Sequence, residues 1–513
     1  MKRTLALALA ILLALGAASM TANAEADKVN LVYYYAGNGQ QQDTQLVNDA
    51  VNAKLAETAG MEHVSVTLKP EIGGEYNQKL TLALTAGEQI DIVSLYKAHN
   101  NYYDEFINGT YICLDDYMSL IPDTVEALPE WIMGYGKMDG RQYYIPTYQQ
   151  NAIMFNLYIP TEYLPYIADG SKDTARRILS SGTYEEKFDM LTDYVLAVRA
   201  AFPDRNSYAG SFVSLVEQQG LGRAFDVVYT SMPRPVEIDS ETHEVKEFYS
   251  TDLCRLAVQK TAENYAAGLI PEDILTTTDG YSMKDGGLNN AVIFEWGQGV
   301  GDEATLEGLA TSAYGCDMTV INSSDFYFLG MNYAAAGNAV TVTCEHPEEA
   351  VRFIDLLCTP KGKEVYNTLV YGIEGTHYEK IDDNHIRTFE YYGTQGGAST
   401  TYAAWKWNIG NTFNAYLNQG CAEGTNEYIL DVMHGSMAKP SDLIGMVWDT
   451  TPVESELAQM MAVQKEYYEG LKSGVKGADW EAYFNEYVAK LESAGVADVV
   501  ACLQGQVDEF LGR

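Results

Sequence analysis

Two of the six tryptophans in this chain, Trp405 and Trp407, stand two positions apart in TYAAWKWNIGN, with Lys406 between them and Asn408 after them. Indole rings offer broad apolar faces, and an amide beside them offers a donor and an acceptor. That combination suits a sugar, whose C–H faces stack on rings and whose hydroxyl rim takes amides, carboxylates and hydroxyls. The competing use is core packing, because tryptophan is highly buried on average. Local geometry matters here: a strand would send both rings to one face, whereas a helix would point them about 200° apart.

Hydrolytic chemistry has less to show. A glycosidase needs two carboxyl groups about 5 to 5.5 Å apart for retention or about 6.5 to 9.5 Å for inversion, a separation no sequence carries. With 71 acidic residues, chance pairs abound. No GxSxG nucleophile elbow occurs. The seven histidines, at 63, 99, 243, 346, 377, 385 and 434, form no HExxH, and no DxDxDG calcium loop appears. Gly297, Gly299 and Gly301 imitate a phosphate loop, but the third glycine of a dinucleotide fingerprint would fall on Asp302. The seven cysteines are scattered without CxxC spacing and read as small hydrophobes rather than as a disulfide framework or zinc site. The expectation is a chain with no catalytic residue, no metal and no cofactor, with an exported glycoside hydrolase as the alternative.

The elements that must position such residues follow a legible order. VNLVYYY reads as a strand, and DTQLVNDAVNAKLAE carries Leu46, Val47, Ala50, Val51 and Leu55 at helical spacing. VSVTL, a helix through YNQKLTLALTA stopped by Gly87, and the strand IDIVSL complete a β-α-β-α-β run. The alternation predicts a mostly parallel sheet covered by helices, with ligands beyond the carboxyl ends of its strands. Those ends read AGNGQQ and YKAHNNY and single out Tyr35, Asn38, His99, Asn101 and Tyr102, although loop amides also serve as turn formers. RQYYIPTYQQNAIMFN, extended and interrupted by Pro146, reads as a crossover out of the first lobe and adds Tyr148 and Gln149. Helix-rich stretches at 185–201 and 251–267 lead to the strand AVIFEW. Beyond NAVTVTC, a helix opened by Pro347 aligns Ala350, Phe353, Ile354 and Leu357 in one stripe. The last 60 residues read as all-helical.

The opening MKRTLALALAILLALGAASMTANA has a basic start, an apolar run from Leu5 to Leu15 and small residues at its end. It reads as a secretory signal cleaved near Ala24, too short in its apolar part for a spanning helix of roughly 20 residues. Its removal leaves 31 basic against 71 acidic side chains, a net charge of −40. Such a surface repels phosphate backbones and anionic membranes, so no nucleic-acid partner is expected and neutral small molecules are favoured. A chain of this size divides into at least two lobes, since single cores stop growing at about 250 to 300 residues.

Four passages then carry a family likeness. They are TAGEQIDIVSLYKAHNNYYDEFINGTYICLDDY, ALPEWIMGYGKMDGRQYYIPTYQ, EEAVRFIDLLCTPKGKEVYNTLVYGIEGTHYE, and the tail from GMVWDTTPVESELAQMMAVQKEYYEGLKSG to KLESAGVADVVACLQGQVDEFL. In this order they resemble bacterial extracellular solute-binding proteins of carbohydrate ABC importers, in the LplA-like branch that ends in a domain of uncharacterised role. The resemblance implies a two-lobed α/β fold of the periplasmic-binding-protein-like type II, with multiple crossovers and a C-terminal helical extension. It implies lobe 1 over residues 25–147 and 332–372, lobe 2 over 148–331 and 373–440, and a helical region over 441–513. The crossings would fall near Pro146, at 327–333 and near Tyr371. It places Trp405 and Trp407 on a cleft-lining segment of the second lobe, with Asn408 as a rim partner. It also makes the Glu295-Trp296-Gly297-Gln298 loop face the ligand, which adds Trp296 and Gln298, and Tyr333 falls at the second crossing. The implied ligand is a sugar, the implied partners are ABC importer permease subunits, and the receptor would act as a monomer outside the cytoplasm. One departure from the family pattern is the missing lipidation cysteine near the cleavage point.

Overall fold

The run VNLVYYYAG is apolar at nearly every position because both of its faces are covered. In the computed structural model of the chain it is the second of five strands in the first lobe's sheet. The structure describes residues 28–513 apart from 97–105, 107, 139, 153, 155, 206–207, 218–220, 229–231, 277–292, 296–302, 325–326, 331–335, 390–391, 394–396, 399–400, 420, 422 and 437. The first lobe opens with β1 (Val29–Gly37), α1 (Thr44–Ala56), β2 (Val64–Ile72), α2 (Tyr76–Thr85), β3 (Ile92–Tyr96) and β4 (Tyr144–Pro146). The chain then enters the second lobe through β5 (Asn156–Pro160) and α3 (Tyr184–Ala201). There follow β6 (Phe225–Val227), β7 (Glu237–Asp239), β8 (Val245–Lys246), α4 (Asp252–Ala266), β9 (Ile293–Glu295), α5 (Glu303–Tyr314) and β10 (Met318–Asn322). It returns through β11 (Tyr327–Leu329) to β12 (Ala336–Val340), α6 (Pro347–Cys358), α7 (Lys363–Tyr371) and α8 (Thr425–His434). A last crossing at β13 (Ala438–Pro440) leads to α9 (Glu454–Ser473), α10 (Trp480–Ser493) and α11 (Val496–Phe510).

In the first lobe β1 pairs in parallel with β2 and β3, as the alternation predicts, while β12 enters antiparallel to β3 and β4. The period of two along β1 divides its side chains between two cores. Leu31, Tyr33 and Tyr35 meet Val47 and Val51 of α1 and Phe353 of α6 on one side, whereas Tyr34 and Ala36 meet Tyr76 and Leu80 of α2 on the other. In the second lobe β9, β5 and β10 form a three-stranded antiparallel sheet. Its α3 begins with a capping box, Thr183 and Glu186 satisfying each other's backbone N–H groups.

Packing corrects two boundaries drawn from the resemblance. Residues 373–440 do not complete the second lobe, because Tyr402, Ile409, Ala415, Val432 and Met433 are buried in the first lobe's core beside Leu369 and Val351. The third crossing accordingly lies at 435–441, where β13 pairs with β11, and not near Tyr371. Nor do the C-terminal helices stand apart. Leu457, Met460, Tyr468 and Leu471 of α9, Tyr487 of α10 and Leu503 of α11 share one core with Val195 of α3 and Val258 of α4. All seven cysteines are unpaired. Among the described residues no helix is long and apolar enough to cross a membrane.

Candidate functional site

At the carboxyl ends of β1, β2 and β3 the first lobe's sheet meets the segment 402–411, and buried amides tie the two together. Asn408 is fully buried, and its Nδ2 donates to the Ala36 carbonyl at 3.1 Å and to Ser94 Oγ at 3.0 Å. Asn338 of β12 donates to the Ile409 carbonyl at 2.8 Å and accepts from the Tyr33 hydroxyl at 2.7 Å. Gln41, in the loop after β1, clasps the Ala403 backbone from both sides, donating to its carbonyl at 2.7 Å and accepting from its N–H at 3.1 Å.

This frame sets the tryptophans. Trp405 is extended (φ −76°, ψ 96°) and is followed by a 3₁₀ turn over Lys406–Asn408, so neither the strand nor the helix geometry applies. The turn folds Trp407 back onto Trp405, with ring centroids 5.1 Å apart and planes inclined by 22°. Trp405 Nε1 donates to Asn38 Oδ1 at 2.9 Å, and Asn38 Nδ2 donates to the Ala403 carbonyl at 3.1 Å. The far edge of the Trp405 ring lies on Gly73, at the end of β2, where a Cβ would run into it. The Tyr366 hydroxyl fixes the turn by donating to the Lys406 carbonyl at 2.8 Å. Both indoles remain partly exposed. The pair is thus a stacked aromatic pair at the carboxyl edge of the first lobe's sheet, and not on the second lobe as the resemblance implies.

The other expected residues divide. Asn38 joins the platform, but Asn408 sits beneath it as a rung of the fold. Tyr35 is 1 % exposed, its ring stacked on Tyr33 at 4.9 Å, and burial pushes its hydroxyl up to about 12. The reason is the strand period, which sends Tyr35 into the α1 and α6 side of the core. Tyr148 is also buried; its hydroxyl lies 2.6 Å from His434 Nε2, its carbonyl accepts from Thr412 N–H at 2.8 Å, and burial again pushes its hydroxyl up to about 12. It pins the first crossing to the first lobe. Gln149 is partly exposed and donates to Thr147 Oγ1 at 3.2 Å. His99, Asn101, Tyr102, Trp296, Gln298 and Tyr333 lie outside the described residues.

Three asparagines that the sequence reading passed over also stand out. Asn151 and Asn156, both in QQNAIMFN, are 0 % and 1 % exposed, and neither amide atom of either one has a hydrogen-bond partner among the described residues. The Oδ1 of Asn322, opposite Asn156 in the sheet, is likewise without a partner among the described residues. The signal available in sequence was only that an amide-rich stretch sits on a crossover.

With this geometry in place, known proteins give it context. Residues 442–512 match the domain of unknown function DUF3502. The chain is 23% identical over 446 residues to a carbohydrate ABC transporter substrate-binding protein of Streptococcus pneumoniae serotype 4, covering 85% of this chain and 83% of that one. The crystal structure of the N-glycan transport solute-binding protein NgtS from Streptococcus pneumoniae aligns with a TM-score of 0.74 at 22% identity, over 95% of this chain and 100% of that one. The same protein in complex with Man5GlcNAc aligns with a TM-score of 0.63 at 21% identity, over 94% and 99% of the two chains. The fold of this chain is therefore the two-lobed type II fold of the solute-binding proteins, as the resemblance implies, and it ends in a DUF3502 domain.

Proposed function

We propose that this protein is an extracytoplasmic receptor that captures a sugar, a neutral oligosaccharide, between its lobes and hands it to an ABC importer. The observation that carries this reading is the stacked Trp405 and Trp407 pair, fixed by Asn38 and Gly73 at the carboxyl edge of the first lobe's sheet. Two parallel indoles offer an apolar face of the size of a pyranose ring, and ligands of such sheets sit beyond that edge. The names of its relatives agree, since NgtS was solved with Man1GlcNAc and with Man5GlcNAc.

Ligand contacts to both lobes shift the population toward the closed form by no more than the difference in affinity for the two forms. Micromolar affinity corresponds to about −8.2 kcal/mol, within reach of one stacked platform and several rim hydrogen bonds after ordering costs. The receptor acts as a monomer, is exported after cleavage near Ala24, and presents its closed form to two permease subunits. It needs no cofactor and releases its ligand chemically unchanged.

The test is tryptophan fluorescence and thermal shift against Man1GlcNAc, Man5GlcNAc, other neutral oligosaccharides, uronates and peptides, with reducing-sugar release assayed in parallel. Saturable shifts without product support the receptor. Product accumulation would turn the reading to a glycoside hydrolase, and silence across the panel would reject both.

A further inference from the structure

We infer that the segment 442–447, with which the DUF3502 region opens, is the pivot of the two lobes: it is fastened to the second lobe, seated on the short helix Glu130–Gly134 of the first, and sets the balance between open and closed receptor. The inference rests on the receptor reading above and gives part of that uncharacterised domain a role.

Hydrogen bonds fasten the segment to the second lobe at both ends. Before it, the buried Ser441 donates from Oγ to the buried Asp226 of β6 at 2.6 Å and accepts from the Leu443 N–H at 2.9 Å. Asp442 Oδ2 lies 3.2 Å from Nε2 of His243, between β7 and β8. After it, Asp449 exchanges two bonds with Gln506 of α11, its N–H donating to Oε1 and its carbonyl accepting from Nε2, each at 2.8 Å. Leu443, Met446 and Trp448 are buried in the second lobe's core. The intervening side chains turn the other way. Ile444 packs on the first-lobe cluster that holds Ile132 and Met133, and Val447 on the one that holds Met138 and Tyr144. One short stretch of chain thus divides its apolar side chains between the two lobes.

The seat is the helix Glu130–Gly134. Gly445 has φ +89°, a conformation that favours glycine, and a Cβ there would stand 3.2 Å from the Gly134 carbonyl oxygen, so the two backbones meet closely. A Cβ on Gly134 would in turn stand 3.8 Å from Ile444 Cγ2. Trp131, on the same helix face as Gly134, meets the ring of His434 at 6.3 Å between centroids. His434 closes α8 just before the third crossing, so that crossing leaves and returns to one helix. Tyr135, the next residue, donates to the Gly330 carbonyl of the second crossing at 2.8 Å, and His434 Nε2 lies 2.6 Å from the Tyr148 hydroxyl of the first. All three crossings therefore gather at this helix, where relative movement of the lobes is smallest. Apolar contacts have no fixed direction and allow the seat to slide, while the bonded side holds. Packed interfaces settle into discrete arrangements, so a methyl gained or lost at the seat changes the relative stability of the two forms.

The experiment compares the wild-type chain with Ile444→Ala, Gly134→Ala and Leu503→Ala by small-angle X-ray scattering without ligand, calorimetric titration of Man5GlcNAc and melting temperature. Gly134→Ala adds a methyl at ordinary contact distance from Ile444 and reinforces the seat, whereas Ile444→Ala loosens it. The two should move the unliganded radius of gyration to opposite sides of the wild-type value and sugar affinity in opposite senses, each by about threefold. Leu503→Ala opens a cavity in the core that α11 shares with the second lobe; it should lower the melting temperature and leave scattering and affinity as in the wild type. Wild-type scattering in both seat variants, or shifts to the same side, would overturn the inference, as would opposite shifts in scattering with affinity unmoved. It is also overturned if Leu503→Ala reproduces the Ile444→Ala shift, since loss of stability alone then accounts for it. If Ile444→Ala does not fold, Gly134→Ala decides alone, and a scattering profile equal to the wild type's rejects the pivot. A wild type that binds no sugar sinks the receptor reading, and the pivot is then judged by the unliganded scattering.

Discussion

The second lobe buries polar groups in two places and treats them in opposite ways. Where the C-terminal helices meet it, the buried carboxylates are fully partnered. Glu247 is 3 % exposed and accepts from Gln464 Nε2 at 2.7 Å, Ser250 N–H at 2.7 Å and the Tyr487 hydroxyl at 2.8 Å. Glu217 accepts from the hydroxyls of Tyr249 and Tyr468, each at 3.0 Å, and Glu237 pairs with Arg223. Gln464, Tyr468 and Tyr487 come from α9 and α10, so these bonds fasten the DUF3502 region to the lobe. At the first crossing, by contrast, the buried amides of Asn151 and Asn156 have no hydrogen-bond partner among the described residues. The difference teaches that burial of a polar group is not in itself a sign of function. What separates the two regions is that the buried carboxylates of the network are all bonded, although Gln464 Oε1 beside them lacks a partner, whereas at the first crossing whole side-chain amides are left unbonded among the described residues.

The contrast breaks or sharpens under substitution. The largest effect is expected at Glu247→Ala, which leaves the Ser250 N–H and the Tyr487 hydroxyl without their acceptor while Gln464 Nε2 keeps the carbonyls of Arg234 and Pro235, and should cost about 3 kcal/mol of stability in urea unfolding. A loss below about 1 kcal/mol would show that the network does not fasten the helices. Next is Gly73→Ala, whose added methyl meets the Trp405 ring. Overpacking of this kind costs about 1 to 3 kcal/mol, and because the ring must shift, sugar affinity should fall as well. Trp405→Ala and Trp407→Ala should each weaken sugar binding about tenfold, or about 1.4 kcal/mol. Trp405→Ala should also lower the melting temperature, since its Nε1 donates to Asn38 and its ring lies on Gly73. Equal melting losses with intact affinity would return both rings to the core.

A smaller effect separates the carboxylate network by pH. Burial holds the carboxyl groups of Glu217, Glu237 and Glu247 above the ordinary value of 4.5, against the lowering influence of their hydrogen bonds and of nearby Arg223, Arg234 and Lys472. The folded chain then binds these protons more tightly than the unfolded chain. Their contribution is fully present below about pH 4.5 and is lost as pH rises through the raised folded values. Melting temperature should therefore fall as pH climbs from 4.5 toward neutrality, and Glu247→Gln should flatten that slope relative to wild type. An unchanged slope would remove Glu247 from the account. Gln149→Ala, at a partly exposed position bonded only locally among the described residues, should leave both stability and affinity almost unaltered.

Local pattern carried much of the fold. The β-α-β-α-β opening, the helix over 184–201 and the apolar stripe of α6 follow from spacing alone, because each element buries one face or both against neighbours of fixed period. What spacing does not encode is the partner of a face. Residues 402–416 contain no long periodic element, only 3₁₀ turns and extended chain, and their lobe is set by contacts with residues more than 300 positions earlier, such as Asn408 with Ala36. The tryptophan pair was legible as a candidate, while its stacking depended on a turn with neither strand nor helix period. Tyr35 failed for the opposite reason: its place at a strand end suggested exposure, and the two-sided cover of β1 removed it. Asn156 was invisible because an asparagine in a crossover looks like a turn former until its amide is seen to lack a partner among the described residues.

The sharing of one core by the second lobe and α9, α10 and α11 has a consequence for the order in which this protein comes into being. A chain emerges from its N-terminus first, yet Tyr194 and Val195 wait for Met460 and Leu503 before their interior is complete. The first lobe waits too, for Val432 and Met433. Neither half acquires its finished interior until nearly all of the polypeptide has been made, so the intermediate lengths expose apolar surface of the kind that promotes aggregation.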